Sequence, residues 1–211
     1  MRVGFCGTGN ACNMDGRGHT SLVFADGDGP WSLLVDCGPT VLQNAARFGW
    51  ELGSLESILI THFHGDHLAG VPFLLLYMRD IARRQRPLTV VGPVGLERIV
   101  GALVELCYPG FSFPFPIQFR TLHPGDTGVA LPGGWTIHAM AVHHRDESLG
   151  YRISRRGVSV AFTGDTGFLE TLPQLWAGAQ LAVVECTVPQ GVAHVRHLSV
   201  AALRSWASTF A

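Results

Sequence analysis

The sequence predicts an α/β layered domain, and three observations carry that prediction. Short apolar runs of strand length are mixed with longer runs of helical character along most of the chain. Glycine, proline, aspartate and asparagine punctuate them as turns. Histidines and carboxylates stand at the ends of successive strand-like runs, which is how sheet folds gather a site. At 211 residues, 47% of them apolar and 15% charged, the chain has the length and composition of one globular domain spanning 1–211 and not of a disordered segment.

The elements follow in order. Residues 20–25 and 31–36 read as two strands joined by Asp26-Gly27-Asp28-Gly29-Pro30, a hairpin by its turn chemistry. Pro39 opens a helix-like run to about Phe48. Residues 55–60 form a short apolar strand, and 68–78 a helix. A strand at 88–91 and a helix at 94–106 come next. Residues 108–116 hold Pro109, Phe111, Phe113, Pro114, Phe115 and Pro116, an aromatic, proline-rich loop that we expect to lie over the site. Strands then dominate, at 118–122, 136–142, 151–154 and 158–163. A helix at 168–177, a strand at 181–184 and a helix from Ser199 to the end complete the reading. There is no linker, internal repeat or low-complexity segment.

Composition narrows the partners. A formal net charge of -1 gives no electrostatic reason for tight nucleic-acid binding. The five cysteines (Cys6, Cys12, Cys37, Cys107 and Cys186) are odd in number and show no Cys-x-x-Cys pair, which suits a reduced compartment. No apolar stretch approaches the ~20 residues needed to span a bilayer, and the start meets Gly4 too early for a secretory signal. These features predict a cytoplasmic protein without a membrane partner.

The most informative stretch is Thr61-His62-Phe63-His64-Gly65-Asp66-His67, which places four potential ligands in six residues between a strand and a helix. Neutral imidazole nitrogen and carboxylate oxygen suit zinc, manganese or iron. His143-His144, Asp165 in Thr163-Gly164-Asp165-Thr166, and Glu185 in Val183-Val184-Glu185-Cys186 each end a strand-like run. His197 precedes the last helix. Singly, each also fits a solvated loop or an ordinary turn; together with the first motif they read as a metal site. Arg79, Arg83, Arg84 and Arg86 cluster near the end of the helix after that motif. They read either as a phosphate hold or as a solvated helix face with Asp80 and Arg84 as an i,i+4 pair.

The chain resembles the metallo-β-lactamase superfamily, in the branch of ribonuclease Z and cyclic-nucleotide phosphodiesterases. The likeness rests on Gly7-Thr8-Gly9, Gly18-His19-Thr20-Ser21, Val35-Asp36-Cys37-Gly38, His62 to Gly70, Leu149-Gly150-Tyr151-Arg152-Ile153 and Thr163-Gly164-Asp165-Thr166, in that order. It covers nearly the whole chain. The resemblance implies a four-layer αββα sandwich with two divalent metal ions, zinc or manganese, at one edge. It assigns His62, His64 and one of His143 or His144 to the first ion; His144 is favoured, since the branch's ligand lies six residues before the glycine of its Gly-Tyr pair, here Gly150. Asp66 and His67 fall to the second ion, and Asp165 to both. His197 matches the histidine that protonates the leaving group, with Glu185 as its carboxylate partner.

Two departures qualify the expectation. The branch's last metal ligand is a histidine in a Thr-His element beyond the final helix and one further strand, and this sequence stops before it. The second ion is then expected to bind more weakly, and the open sheet edge to favour a homodimer. The tRNA-gripping arm of long-armed ribonuclease Z enzymes is also absent, since only twelve residues separate Tyr151 from Gly164. The expected activity is therefore hydrolysis of a small or single-stranded phosphodiester, not of tRNA. A metal-bridged hydroxide would attack, with Asp66 orienting it and His197 protonating the departing alkoxide. Two alternatives stay open: thioester or lactone hydrolysis at the same ions, and a truncated, non-catalytic metal-binding protein.

Overall fold

The structure is a computed structural model that describes residues 1–190, 192 and 194–210. Its chain divides into two compact units, Met1–Thr121 and Leu122–Ala211, each built on one sheet.

In the first unit, β1 (Arg2–Gly7), β2 (Ser21–Ala25) and β3 (Trp31–Val35) form an antiparallel meander. Then β4 (Ser57–Leu59), β5 (Leu88–Gly92) and β6 (Ile117–Thr121) add in parallel, in the order β1-β2-β3-β4-β5-β6. Parallel neighbours need crossover connections. These are α1 (Val41–Phe48), α2 (Gly65–Leu68) with α3 (Val71–Asp80), and α4 (Leu96–Cys107). α1 stops where Gly49 takes the left-handed conformation (φ 67°) and its N–H caps Ala45 and Ala46. Val23, Leu34, Ile58 and Val90 of the sheet share a core with Val41, Leu74, Leu75, Met78 and Val100 of the helices.

The second unit holds β7 (Val129–Leu131), β8 (Trp135–Ala141), β9 (Leu149–Arg155), β10 (Val158–Phe162) and β11 (Leu181–Val183), in the order β11-β10-β9-β8-β7. Only the β10–β11 pair is parallel. β9 and β10 meet in a tight turn at Arg156 and Gly157, both at positive φ (49° and 79°), the signature of a type I′ hairpin. α5 (Pro173–Trp176) and α6 (Val200–Ser205) pack Leu175, Trp176, Leu203 and Trp206 around Val142, Ala161 and Leu198. Trp206 stacks on Phe168 with ring centroids 4.7 Å apart.

Several expectations need correcting. The helix expected over 168–177 is reduced to α5, because Pro173 has no N–H to carry a helix across it. The last helix ends at Ser205, and a 3-10 turn follows. The aromatic loop after α4 is rooted in the first unit: Tyr108, Phe111, Phe113 and Phe115 form a ladder with centroids 5.3–6.0 Å apart, and Phe115 is buried in the core. The arginine cluster is not one helix face: Arg83, Arg84 and Arg86 lie past the end of α3, and of these Arg83 and Arg86 are exposed. Arg84 is buried and donates to the carbonyls of Gly53, Leu55, Arg86 and Pro87. α3 ends at Asp80, so no i,i+4 pair with Arg84 forms; Asp80 pairs with Arg79 instead.

Candidate metal centre

In the first unit the site begins one residue past β3. Asp36 is fully buried and held in the left-handed region (φ 56°), which turns its carboxylate under the chain that leaves β4. Its Oδ1 accepts from the Thr61 N–H at 2.8 Å, its Oδ2 from the Thr61 hydroxyl at 2.9 Å, and its Oδ2 also from His67 Nδ1 at 2.6 Å. Burial pushes the Asp36 carboxyl above the ordinary carboxylate range, while the His67 ring and the Thr61 donors pull it back.

These bonds fix the tautomers. A carboxylate only accepts, so a neutral His67 carries its proton on Nδ1 and turns its Nε2 lone pair toward Asp66, 3.4 Å from Oδ2. The Thr61 hydroxyl gives its proton to Asp36 and so accepts from His62 Nδ1 at 3.0 Å, which makes Nε2 the lone-pair atom of a neutral His62. That atom lies 3.1 Å from His64 Nδ1. Asp36 therefore aims two imidazole lone pairs, one directly and one through Thr61, in the manner of the carboxylates that support metal-bound histidines. Close backbone packing holds the frame. Cys37 N–H donates to the His67 carbonyl at 2.7 Å and Gly70 N–H to the Cys37 carbonyl at 2.8 Å; a Cβ on Gly70 would come within 2.2 Å of the Gly38 carbonyl oxygen.

The second unit presents its own set. His144 is buried, its Nδ1 donates to the Arg196 carbonyl at 3.1 Å, and its Nε2 lies 3.8 Å from Asp165 Oδ2. His143 is exposed, and its main chain is tied to Thr166 and Gly167. Glu185 Oε1 receives the Thr166 N–H at 2.7 Å and stands 2.9 Å from His197 Nδ1, while Oε2 accepts from the Thr187 N–H at 3.1 Å. The His197 ring stands edge-on to that of His144 at 4.8 Å.

The first unit thus gathers His62, His64, Asp66 and His67, and the second gathers His144, Asp165, Glu185 and His197. Bare imidazole nitrogens beside carboxylates are the donor set that zinc or manganese takes, so the residues fit divalent metal ions. Sequence reasoning passed over Asp36 and Thr61 as site residues. The available signal was a carboxylate directly after one buried strand and a hydroxyl directly after the next.

Comparison with known proteins agrees with this chemistry. A family model described as a beta-lactamase superfamily domain matches residues 32–210. The ribonuclease Z of Mycobacterium bovis (strain BCG / Pasteur 1173P2) is 32% identical over 202 residues, covering 87% of this chain and 69% of that protein. The ribonuclease Z of Lachnoclostridium phytofermentans is 34% identical over 182 residues, and there the chain spans only 57% of the relative's length. The crystal structure of the short form of human tRNase Z matches with a TM-score of 0.81 at 24% identity, over 99% of this chain and 88% of that one. The last likeness speaks for the fold, and it bears out the α/β metallo-β-lactamase architecture expected from the motifs. Among the described residues no helix is long and apolar enough to cross a membrane. The chain belongs to the beta-lactamase superfamily, as a metal-dependent hydrolase related to ribonuclease Z.

Proposed function

We propose that the protein is a metal-dependent phosphodiesterase acting on a small or single-stranded phosphodiester. One observation carries this reading furthest: the 2.9 Å contact between His197 Nδ1 and Glu185 Oε1. Phosphodiester cleavage expels an alkoxide, a poor leaving group that needs a proton in the transition state. A carboxylate on Nδ1 stabilises the imidazolium and leaves the Nε2 proton free to be given. Two backbone N–H groups on Glu185 hold that carboxylate in place.

In this reading His62, His64 and His144 would hold one ion and Asp66 and His67 a second, with Asp165 available to either. Divalent ions bound there would supply Lewis acidity to the phosphoryl oxygen and to the attacking water. Asp66 accepts a hydrogen bond from that water and orients it, and His197 protonates the leaving oxygen. The imidazole-rich donor set favours zinc over manganese. The tight β9–β10 turn leaves no room in that hairpin for a substrate-gripping arm, which supports a small or single-stranded substrate over tRNA. β11 is the outermost strand of its sheet, and we assign a homodimer to that open edge, to be read from the sedimentation coefficient.

The test is turnover of bis(p-nitrophenyl) phosphate by metal-depleted protein titrated with zinc and then manganese, beside a thioester substrate. Activity is expected to saturate near two ions per chain and to vanish in His67→Ala and Asp165→Ala. His197→Ala should slow an alkyl phosphodiester by about 10²–10⁴-fold and the activated nitrophenyl ester far less. Phosphodiester turnover that survives both ligand substitutions, or thioester turnover alone, overturns the reading. Binding that stops at one ion with no turnover would make the chain a non-catalytic metal binder.

A further inference from the structure

Arg196 bonds His144 from both sides. Its carbonyl oxygen accepts from His144 Nδ1 at 3.1 Å, and its guanidinium Nη1 donates back to the His144 carbonyl at 2.7 Å. The two residues lie 52 positions apart, so this reciprocal pair pins the segment before α6 to the end of β8. The same segment carries His197, whose ring meets His144 at 4.8 Å. Further along it, the Val188 N–H donates to the Leu198 carbonyl at 3.0 Å, and Ser199 caps α6 by accepting from the Ala202 N–H at 3.3 Å. A second strut of this segment is weaker: the Arg196 N–H donates to His194 Nδ1 at 3.2 Å.

We propose that Arg196 is a positioning residue that couples metal capture at His144 to the placement of the proton donor His197. The proposal rests on the reading of His144 as a ligand. A carbonyl oxygen only accepts, so the Arg196 main chain holds a His144 proton on Nδ1 and turns Nε2 toward Asp165, the side from which an ion would bind. The guanidinium keeps that carbonyl in reach, because it ties the same residue to the His144 backbone. An ion that fixes the His144 ring then fixes the Arg196 main chain, and with it the next residue, His197. By linkage the coupling runs both ways: loosening Arg196 weakens the ion, and losing the ion loosens His197.

The experiment uses cobalt(II) alone as the probe, with its visible absorption reporting occupancy and amide hydrogen exchange reporting residues 194–199. In the full-length chain, cobalt is expected to slow exchange across 194–199. Arg196→Ala should weaken cobalt binding by about 10-fold, at the lower end of the effect of losing a group that supports a ligand, and should remove the cobalt-dependent protection. Arg196→Lys restores one donor and should recover most of both. Arg196 is exposed, so neither change threatens the core. Cobalt affinity and protection unchanged in Arg196→Ala, while His144→Ala loses both, overturn the coupling and leave the metal reading standing. Unchanged cobalt binding in His144→Ala overturns the metal reading itself, and the coupling with it.

Discussion

A carboxylate that binds no metal of its own organises the ligand loop. Asp36 takes three hydrogen bonds in a fully buried position and sits at a φ of 56°, where a residue other than glycine pays about 1–2 kcal/mol. Such strain persists only where the surroundings over-determine it. Asp36→Ala would strand the Thr61 N–H, the Thr61 hydroxyl and His67 Nδ1 without a partner. We expect a loss of about 3 kcal/mol or more in metal-free protein, read from urea unfolding. Zinc affinity should fall by about 10–100-fold, because the histidines lose the group that aims them. Asp36→Asn tests the charge separately: its shape is retained, but its amide end faces a donor, so most of the loss in affinity should remain.

At the scale of elements, the connection from α3 to β5 is held by a buried cation rather than by apolar packing. Arg84 donates to the Arg86 and Pro87 carbonyls of its own connection and to those of Gly53 and Leu55 in the connection before β4, and its guanidinium lies 5.6 Å from the Phe115 ring centroid. Burial lowers its pKa, yet the group stays charged far above neutral pH. Arg84→Met keeps the length and removes every donor, and should cost about 3 kcal/mol of stability, read from urea unfolding. Arg84→Lys should recover only part, since an ammonium cannot reach four carbonyls arranged around a planar fork.

At the scale of the whole molecule, the free thiols grade the chain by accessibility. Cys12 is exposed, whereas Cys6 and Cys37 are buried, with burial raising Cys6 to about 11 and Cys37 higher still. Burial first, and then the Glu185 carboxylate, push Cys186 up as well. A raised thiol pKa means less thiolate at pH 8 and slower attack. A disulfide reagent at pH 8 should therefore modify Cys12 first and Cys186 more slowly, with Cys6 and Cys37 reacting only as the first unit unfolds. The same grading shows what the sequence made legible. Apolar runs marked β2 to β5, β10 and β11, and alternation of apolar with polar residues marked β6, β8 and β9. β1 escaped because Gly4 and Gly7 dilute it; Gly4 is there to admit Trp50, whose ring would stand 2.7 Å from a Cβ. β7 escaped because Gly128 on one side and Pro132-Gly133-Gly134 on the other make its three residues read as part of a turn. The histidines and carboxylates of the site were legible from type and spacing. Asp36 and Thr61 were marked only by their places directly after buried strands, and Arg196 not at all, because the bonds they receive or return cross 25 or more positions.

The turn at Arg156 and Gly157 has a consequence for how such a chain can change. Two residues at positive φ close the hairpin with almost nothing to spare, yet the strands they join are pinned along their length by pairing from Val158 with Arg155 to Phe162 with Tyr151. Extra sequence spliced there would leave that register untouched, and loop entropy rises only about 0.6 kcal/mol for each doubling of length. The hairpin tip is a socket: a recognition module can be gained or shed there while the catalytic chassis keeps its shape.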